Sequence, residues 1–460
     1  MLPRLTTYDG ETFLEELALQ NFRQFADLRI QFHRKLTVLV APNGGGKTAV
    51  LDATAVALRY FVDKLQRKPS FHGFELTDGR LARTPDAAMV PQWPVSFTAR
   101  GRMVGEDLSW ERELGSGLRT TYAKASGLAR RADALLDTLQ RYSNGHVNLP
   151  PDLPLIAYYG TGRLWAEGRI SEKKKQAALN LTQPTAAYQD CLSPSSSYNP
   201  FVLWYERVVR EAQNEQASGA PRSPHRPQEV LAAVRAATDE VLKPTGWRRI
   251  DWDFVEGTLI AEHPVHGRLP VSRLSDGIRN MIAMVADLAH RAVRLNRHHG
   301  AGAVSLTPGI VLVDEVDMHL HPEWQQSILD SLQQAFPRVQ WVVTTHSPQV
   351  ISTAQMECVR ILRDDGSVTT PTLQTRGVES AALLAEVMGV DPIPPVPEAS
   401  DVADYKVLVE RGSVGDVTAK SLKERIVRHF GEMHPVVLEC ERIERWQAFK
   451  ERRASAQEKS

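Results

Sequence analysis

The segment at residues 36–62 limits the possible folds of this chain more than any other feature. An apolar run, "LTVLV", leads into "APNGGGKT" at 41–48 and then into "AVLDATAVALRYFV", whose apolar residues recur at helical spacing. A buried strand, a Gly-rich loop and a helix in this order form a phosphate-binding unit. Such a strand lies in a parallel sheet that is covered by helices, so the segment predicts an α/β fold.

The loop departs from the usual pattern G-x-x-x-x-G-K-[ST] because Ala41 occupies the first glycine position. The chemistry needs only converging backbone N–H groups, a lysine that reaches the outer phosphates and a hydroxyl that holds Mg²⁺. Ala41 ends the strand, where a residue at negative φ suffices, so we expect the loop to be intact. The predicted nucleotide-binding residues of the loop are Asn43, Gly44, Gly45, Gly46, Lys47 and Thr48.

The composition predicts a large enzyme without a global affinity for nucleic acid. The chain has 460 residues, 42% of them hydrophobic, and can bury a substantial core. Lys and Arg total 55, as do Asp and Glu, so any nucleic-acid contact must come from a local patch. The cysteines are scattered without a C-x-x-C pair, which argues against a disulfide framework or a zinc hook. No membrane-length apolar run or signal-peptide core is present, so we predict a cytoplasmic protein.

Two apolar runs in the second half of the chain end in residues that can act on a phosphate. "GIVLVDEVD" at 309–317 is a strand followed by acids, of which Asp314 can bind Mg²⁺ and Glu315 can deprotonate an attacking water. "WVVTTHSP" at 341–348 places His346 at the end of another buried strand, where an imidazole would lie near a γ-phosphate. We therefore predict Lys47, Glu315 and His346 as catalytic residues. Thr48 and Asp314 are the predicted metal ligands.

The segment "LSDGIRNMIAMVADLAHRAVRL" from residue 274 has the pattern of a capped amphipathic helix. Apolar residues from Ile278 to Val293 recur on one face, and Ser275 is well placed to cap the helix. Such a helix start offers its positive dipole and the open backbone of Gly277 to an anion. The same pattern also fits an ordinary capped helix of the protein core.

The order of these segments resembles one known arrangement, that of the ABC-type ATPases of the SMC and RecF group. "LALQNFRQF" resembles their N-terminal strand and turn, "APNGGGKT" the Walker A motif, "LSDGI" the signature, "IVLVDE" Walker B, "VDMHLHP" the D-loop and "TTHS" the switch histidine. The resemblance covers roughly residues 13–365. It implies ATP and Mg²⁺ as cofactors and adds Arg23, Ser275 and Gly277 to the nucleotide-binding residues.

The resemblance also implies a head domain that works in pairs. Two heads would enclose two ATP molecules, each held by the Walker A motif of one chain and by Ser275 and Gly277 of the other. The signature reads Leu-Ser-Asp-Gly, which puts Asp276 beside the anion site. About 225 residues separate Walker A from the signature, too few for long coiled-coil arms. Candidates for the Q-loop glutamine are Gln92, Gln176 and Gln183.

Within that group, "PLIAYYGTGRLW", "DEVDMHLHPEWQQ" and "VTTHSPQVIS" most resemble the PtuA-type ATPase of Septu systems and its retron-associated version, which are compact ATPases of bacterial defence operons. This resemblance implies antiphage defence with an HNH-type nuclease subunit and, in a retron, a reverse transcriptase with its RNA–DNA product. Because the acids at 314, 315 and 317 are assigned to the nucleotide, we expect no intrinsic nuclease activity. A RecF-like repair ATPase acting on DNA ends and the nucleotide-binding subunit of a membrane transporter stay open as alternatives.

The sequence predicts four parts. They are an N-terminal part of the ATPase head at 1–170, an inserted helical subdomain at 171–245, a C-terminal part of the head at 246–390, and a Pro-rich link with a helical extension at 391–460. The head is expected to combine a mixed core sheet and its helices with an antiparallel β lobe. Residues 13–40 are expected to form two strands, and the tail two amphipathic helices. A basic patch at Lys173–Lys175, Arg163 and Arg169 fits either nucleic-acid contact or a solvated loop.

Overall fold

The structure is a computed structural model and describes residues 10–68, 76–83, 88–116, 120–121, 123–162, 183–194, 198–218, 226–363 and 365–457. The basic patch and Gln176 lie outside the described residues. Contacts divide the chain into two compact units, residues 1–388 and 389–460. In the part of the chain that the structure describes, no helix has both the length and the apolar character needed to cross a membrane.

All the described strands lie in the first unit, together with ten of the described helices, and the second unit is helical. The strands are β1 (Phe13–Phe22), β2 (Phe25–Gln31), β3 (Leu36–Val40), β4 (Leu81–Arg83), β5 (Met89–Pro91), β6 (Val95–Met103), β7 (Glu106–Leu114), β8 (Thr120–Thr121), β9 (Leu155–Tyr159), β10 (Arg248–Asp253), β11 (Thr258–His263), β12 (Gly267–Pro270), β13 (Gly309–Val313), β14 (Val339–Thr344), β15 (Val359–Leu362) and β16 (Val368–Thr369). The helices are α1 (Lys47–Leu65), α2 (Ser126–Ser143), α3 (Asn199–Ser218), α4 (Pro227–Leu242), α5 (Asp276–Leu295), α6 (Ala303–Leu306), α7 (Pro322–Gln325), α8 (Ile328–Ala335), α9 (Pro348–Ile351), α10 (Ser380–Glu386), α11 (Pro397–Glu410), α12 (Val417–Phe430) and α13 (Pro435–Gln457).

A six-stranded sheet forms the core of the first unit, in the order β16-β15-β3-β14-β13-β9. All neighbouring strands are parallel except β15 and β16. β3, β13 and β14 are buried along their whole length, as expected for apolar runs in a sheet with both faces covered. The order places β14 between β3 and β13.

An antiparallel sheet, ordered β2-β1-β6-β7-β8, forms the β lobe. The prediction of two strands over residues 13–40 was wrong, because there are three. Arg23 and Gln24 form a tight turn, so that β2 returns antiparallel to β1 and pairs Phe22 with Phe25. The side-chain amide of Gln340 in β14 joins this sheet to the core sheet. It donates to the carbonyl of Leu14 at 2.8 Å and accepts from its N–H at 2.7 Å.

Another antiparallel sheet, β10-β11-β12, precedes α5, and one short helical turn, Val271–Arg273, connects them. α5 is buried from Asn280 to Leu295, and its apolar face packs into the main core. This placement fixes the start of α5, where the predicted signature residues lie.

The second unit contains three helices, α11, α12 and α13. The sequence predicted two helices in this region, which correspond to α12 and α13, and did not predict α11, which precedes them. A small separate core joins the three helices through Tyr405, Val409, Leu422, Ile426 and Val437. The Glu444 carboxylate accepts hydrogen bonds from Tyr405 and from Lys423, the latter at 2.8 Å.

Candidate nucleotide-binding site

Three neighbouring parallel strands end at one edge of the core sheet, and each leads into a predicted functional segment. β3 leads into the Gly-rich loop, β13 into the acids that begin with Asp314, and β14 into the switch segment. Ligands of open α/β sheets bind outside the carboxyl ends of such strands. Although Thr48 and Asp314 are 266 positions apart in the chain, the sheet topology brings their side chains into contact.

The Gly-rich loop has the backbone conformation that close approach of a phosphate requires. Gly44 and Gly46 have φ of 78° and 88°, a region that favours glycine. A Cβ at Gly46 would lie 1.9 Å from Gln24 Nε2 and 2.3 Å from Phe25 Cζ, so no side chain fits there. Ala41 has no positive φ, and the left-handed positions begin only at Gly44. The missing first glycine therefore leaves the loop conformation intact.

Lys47 is buried at the start of α1 and lies against its own loop. Its ammonium donates hydrogen bonds to the carbonyl oxygens of Ala41 at 2.9 Å and Pro42 at 3.3 Å. Burial lowers the pKa of Lys47, and the nearby charges of Asp314 and Glu315 oppose that shift. A desolvated ammonium whose hydrogen bonds go to two neutral carbonyls gains strongly from a negatively charged ligand.

Hydrogen bonds connect the loop to both acids at the end of β13. The Thr48 hydroxyl donates to Asp314 Oδ2 at 2.8 Å, and the Thr344 hydroxyl donates to Asp314 Oδ1 at 2.6 Å. Thr344 Oγ1 in turn accepts from the Glu315 N–H at 2.7 Å. Glu315 has a φ of 46°, a strained value for a residue with a side chain. Thr344 was not among the predicted site residues. The sequence feature that could have identified it is its position as the last residue of a buried strand.

The switch segment is held by a second set of side-chain hydrogen bonds. Thr345 Oγ1 donates to Asp317 Oδ1 at 2.5 Å, and Ser347 Oγ accepts from the N–H groups of Gln349 and Val350 at the start of α9. His346 lies between these two anchors and is half-buried. Among the described residues it has no hydrogen-bond partner, so both flanking residues fix its backbone while its imidazole stays available.

The turn that contains Arg23 packs against the loop, but the Arg23 guanidinium is already paired. It donates to Asp52 Oδ2 at 2.5 Å and to Asp78 Oδ1 at 3.0 Å. The other oxygen of Asp52 accepts from the Tyr158 hydroxyl at 2.8 Å. Asp52 lies one helical turn after Thr48, so this network braces the first turns of α1. Gln24, the next residue in the chain, lies against Gly46. Arg23 is therefore close to the Gly-rich loop.

The signature residues lie at the exposed start of α5. Ser275 occupies the N-cap position, but its side chain makes no capping hydrogen bond, contrary to the expectation from sequence. Its backbone is extended, with a ψ of 155°, as is usual for an N-cap residue, and the residue is exposed. Asp276 forms an ion pair with Arg279, three residues further along the helix.

Gly277 packs on the D-loop of the same chain. A Cβ at this position would lie 2.2 Å from the carbonyl oxygen of His319, so only glycine permits the contact. His319 itself has a left-handed φ of 62°. The start of α5 is therefore in direct contact with the segment that follows Walker B.

The residues present fit a magnesium-bound nucleoside triphosphate. The first N–H groups of α1 lack intrahelical acceptors and favour an anion, and Lys47 adds a positive charge at the same place. Mg²⁺ prefers oxygen ligands, which the adjoining Thr48 hydroxyl and Asp314 carboxylate supply.

Two family models match consecutive parts of the chain. An AAA domain model matches residues 16–216, and a second AAA domain model, whose description adds the AbiEii toxin of a type IV TA system, matches residues 212–352. Together with the parallel core sheet and the Gly-rich loop at its edge, these matches show the α/β fold of a P-loop AAA domain. The predicted fold class, an α/β head with a mixed core sheet, an antiparallel β lobe and a C-terminal helical region, is confirmed.

Among known proteins, the chain is similar to "Retron Vc95 probable ATPase" of Vibrio cholerae serotype O1 biovar El Tor, with 24% identity over 91% of this chain and 87% of that protein. It is 44% identical to "Septu protein PtuA" of Bacillus mycoides strain KBAB4 over 74% of this chain and 39% of that protein. The SMC head domain from Thermotoga maritima aligns with 79% of this chain at 14% identity and a TM-score of 0.41. The predicted resemblance to Septu and retron ATPases is confirmed.

Proposed function

We propose that the chain hydrolyses ATP as a pair of heads and thereby controls a partner nuclease in antiphage defence. The observation that carries the ATPase assignment is the continuous set of hydrogen bonds from Thr48 through Asp314 and Thr344 to Glu315. It joins the nucleotide loop to the acid that would act on water.

Each residue of this set has a distinct role. When bound, Mg·ATP supplies an electrophilic γ-phosphoryl group and a metal ion that neutralises charge developing on the phosphate oxygens. Lys47 exchanges its backbone acceptors for phosphate oxygens, and Thr48 with Asp314 holds the metal. Glu315, oriented through its N–H by Thr344, accepts the proton of the attacking water. His346 donates a hydrogen bond toward the phosphate.

Pairing of two chains would complete the site. Ser275 and Asp276 at the start of α5 are exposed, and Ser275 makes no capping hydrogen bond, so this helix start can receive an anion from outside the chain. Gly277 contacts the carbonyl of His319, two residues after Asp317, so that surface adjoins the segment that carries the acids. In the proposed sandwich, Ser275 and Gly277 of each chain contact the ATP bound to Walker A of the other.

The defence role rests on the similarity to the retron and Septu proteins. An HNH-type nuclease subunit is the proposed partner, and a retron system would add a reverse transcriptase and its RNA–DNA product. The acids of the site are assigned to metal binding and ATP hydrolysis, so we propose that the chain itself does not cut nucleic acid. The proposal places the protein in the cytoplasm.

The test is to purify the chain alone and with the proteins encoded beside it, and to incubate each with DNA, RNA and Mg²⁺, with and without ATP. Cleavage that needs the partner and changes with ATP supports the proposal. Glu315→Gln is the matched variant, because it keeps ATP binding and changes only turnover. Metal-dependent cleavage by the isolated chain that survives Ser275→Arg contradicts the proposal.

A further inference from the structure

A second cluster of chemically competent side chains lies away from the nucleotide site. Asp152 precedes β9, and His298 and His299 follow α5 in a short helical turn. The Nε2 atoms of both histidines lie within hydrogen-bonding distance of the same oxygen, Asp152 Oδ1, at 2.9 Å and 2.7 Å. The three ligand atoms all lie within 4.8 Å of one another.

The backbone around this cluster is fixed independently of it. The fully buried side chain of Asn296 accepts from the Leu153 N–H at 2.8 Å and donates to the Leu153 carbonyl at 2.9 Å. Its amide also donates to Thr307 Oγ1 at 2.9 Å. Asn296 therefore ties the residue next to Asp152 to the residues next to the histidines, and holds the three side chains in position without a bound ion.

Two histidines that are adjacent in the chain converge on one carboxylate oxygen. Their ring centroids are 4.1 Å apart. Two imidazole nitrogens thus face one carboxylate oxygen, at 2.9 Å and 2.7 Å, and imidazole is the commonest metal ligand among protein side chains.

We propose that Asp152, His298 and His299 form a three-ligand site for Zn²⁺. Two imidazole nitrogens and one carboxylate oxygen are ligand types that Zn²⁺ accepts, and three protein ligands leave a fourth position for water. Tetrahedral coordination at about 2.0–2.1 Å from the metal separates neighbouring ligand atoms by roughly 3.3 Å. The present separations of 2.7 Å and 2.9 Å thus need to widen by a few tenths of an ångström, which side-chain rotation provides.

Solvent reaches this site through a neighbouring cavity. His298 lies on the wall of a cavity of about 720 Å³, together with Pro150, Arg297 and Gly300. The site is thus accessible to an ion from solution, while the side chains of Asp152 and His299 are only 13% and 22% exposed. A hydrogen-bonded triad that binds no metal would have the same geometry, and metal binding distinguishes the two.

The experiment is a Zn²⁺ titration of the chelator-treated full chain in excess Mg²⁺, which saturates the nucleotide site. We expect one Zn²⁺ per chain in the wild type. His298→Ala, His299→Ala and Asp152→Asn should each weaken binding at least about 10- to 100-fold. His266→Ala is the matched control, because His263 and His266 also stack, with 4.5 Å between ring centroids, but are not part of the cluster.

Substitution with Co²⁺ gives a second readout that does not depend on catalysis. The wild type and the His266→Ala variant should show the visible absorption of cobalt bound to nitrogen and oxygen ligands, and the three cluster variants should lose it. Retained ATP binding and circular dichroism show that each variant is folded. Absence of Zn²⁺ binding in the wild type, or equal binding in the cluster variants and the control, overturns the proposal.

Discussion

Thr344 determines the geometry of both acids at the nucleotide site. Its single hydroxyl donates to Asp314 and accepts from the N–H of Glu315, whose left-handed φ of 46° is thereby stabilised. The hydroxyl of a fully buried strand residue replaces the water that would otherwise solvate these groups. The position of the proposed base, Glu315, therefore depends on a residue of β14, the strand next to the one that leads into the Gly-rich loop.

Glu315→Gln should leave ATP affinity unchanged and slow turnover about 10²- to 10⁴-fold, because an amide can position water but cannot accept its proton. The N–H bond to Thr344 is retained in this variant. Single-turnover hydrolysis and equilibrium binding of ATP, measured on the same preparation, check the two halves of the prediction. A variant with full turnover would show that another group is the base.

Replacement of Gly46 by Val should weaken nucleotide binding roughly 10- to 100-fold, which corresponds to about 1–3 kcal/mol of backbone strain. A Cβ there meets Gln24 and Phe25, and φ is 88°. Ala41→Gly is the matched control, since Ala41 has no positive φ, and it should leave hydrolysis nearly unchanged. Comparable losses at both positions would mean that the first glycine position does matter.

At the scale of elements, local patterns predicted β3, β13, β14, α1 and α5, because continuous apolar runs and helical periodicity lie within each segment. β2 was missed, since a two-residue turn between paired strands leaves no Gly or Pro to mark it. The Gly277 contact with the D-loop and the Thr344 bonds depend on strand order and register, which no local pattern records. For the same reason the cluster of Asp152 with His298, 146 positions later, was not predicted.

α5 also carries a buried ionisable side chain that couples its packing to pH. Burial lowers the pKa of His290 to about 4, and the nearby positive charges of Arg291 and Arg294 contribute. The Asp287 carboxylate opposes this shift, but its oxygen lies 3.8 Å from His290 Nδ1, beyond hydrogen-bond length. The ring stacks on Trp204 with 4.4 Å between centroids. The folded state therefore holds this histidine neutral.

Since the unfolded chain binds the proton with a pKa near 6.5, stability from His290 is fully present above pH 6.5 and is lost as the pH falls toward 4. The loss amounts to about 3 kcal/mol over this window. His290→Leu should reduce the slope of unfolding free energy against pH by up to about 1.4 kcal/mol per unit there. Denaturant unfolding at several pH values measures this slope. The His266→Ala variant is the control for removal of a surface histidine. Identical slopes in His290→Leu and wild type would contradict the assignment.

At the scale of the whole molecule, the proposed ATP site is assembled from two separate parts of the chain. Walker A with its acids forms one half, and the uncapped start of α5 forms the other. Closed two-fold pairing would let each chain give both halves to its partner. Lys47→Ala removes the charge facing the phosphates, and Ser275→Arg obstructs the surface offered to the partner while leaving nucleotide binding intact.

The direct test is to mix these two variants. Each alone should be inactive as an ATPase, but a mixed pair contains one intact site, made from the Walker A of the Ser275→Arg chain and the signature of the Lys47→Ala chain. The mixture should therefore recover roughly a quarter of the wild-type rate, because half of the pairs are mixed and each has one working site. A mixture that stays as inactive as its components, or a Ser275→Arg chain that hydrolyses ATP at the wild-type rate by itself, would contradict the account.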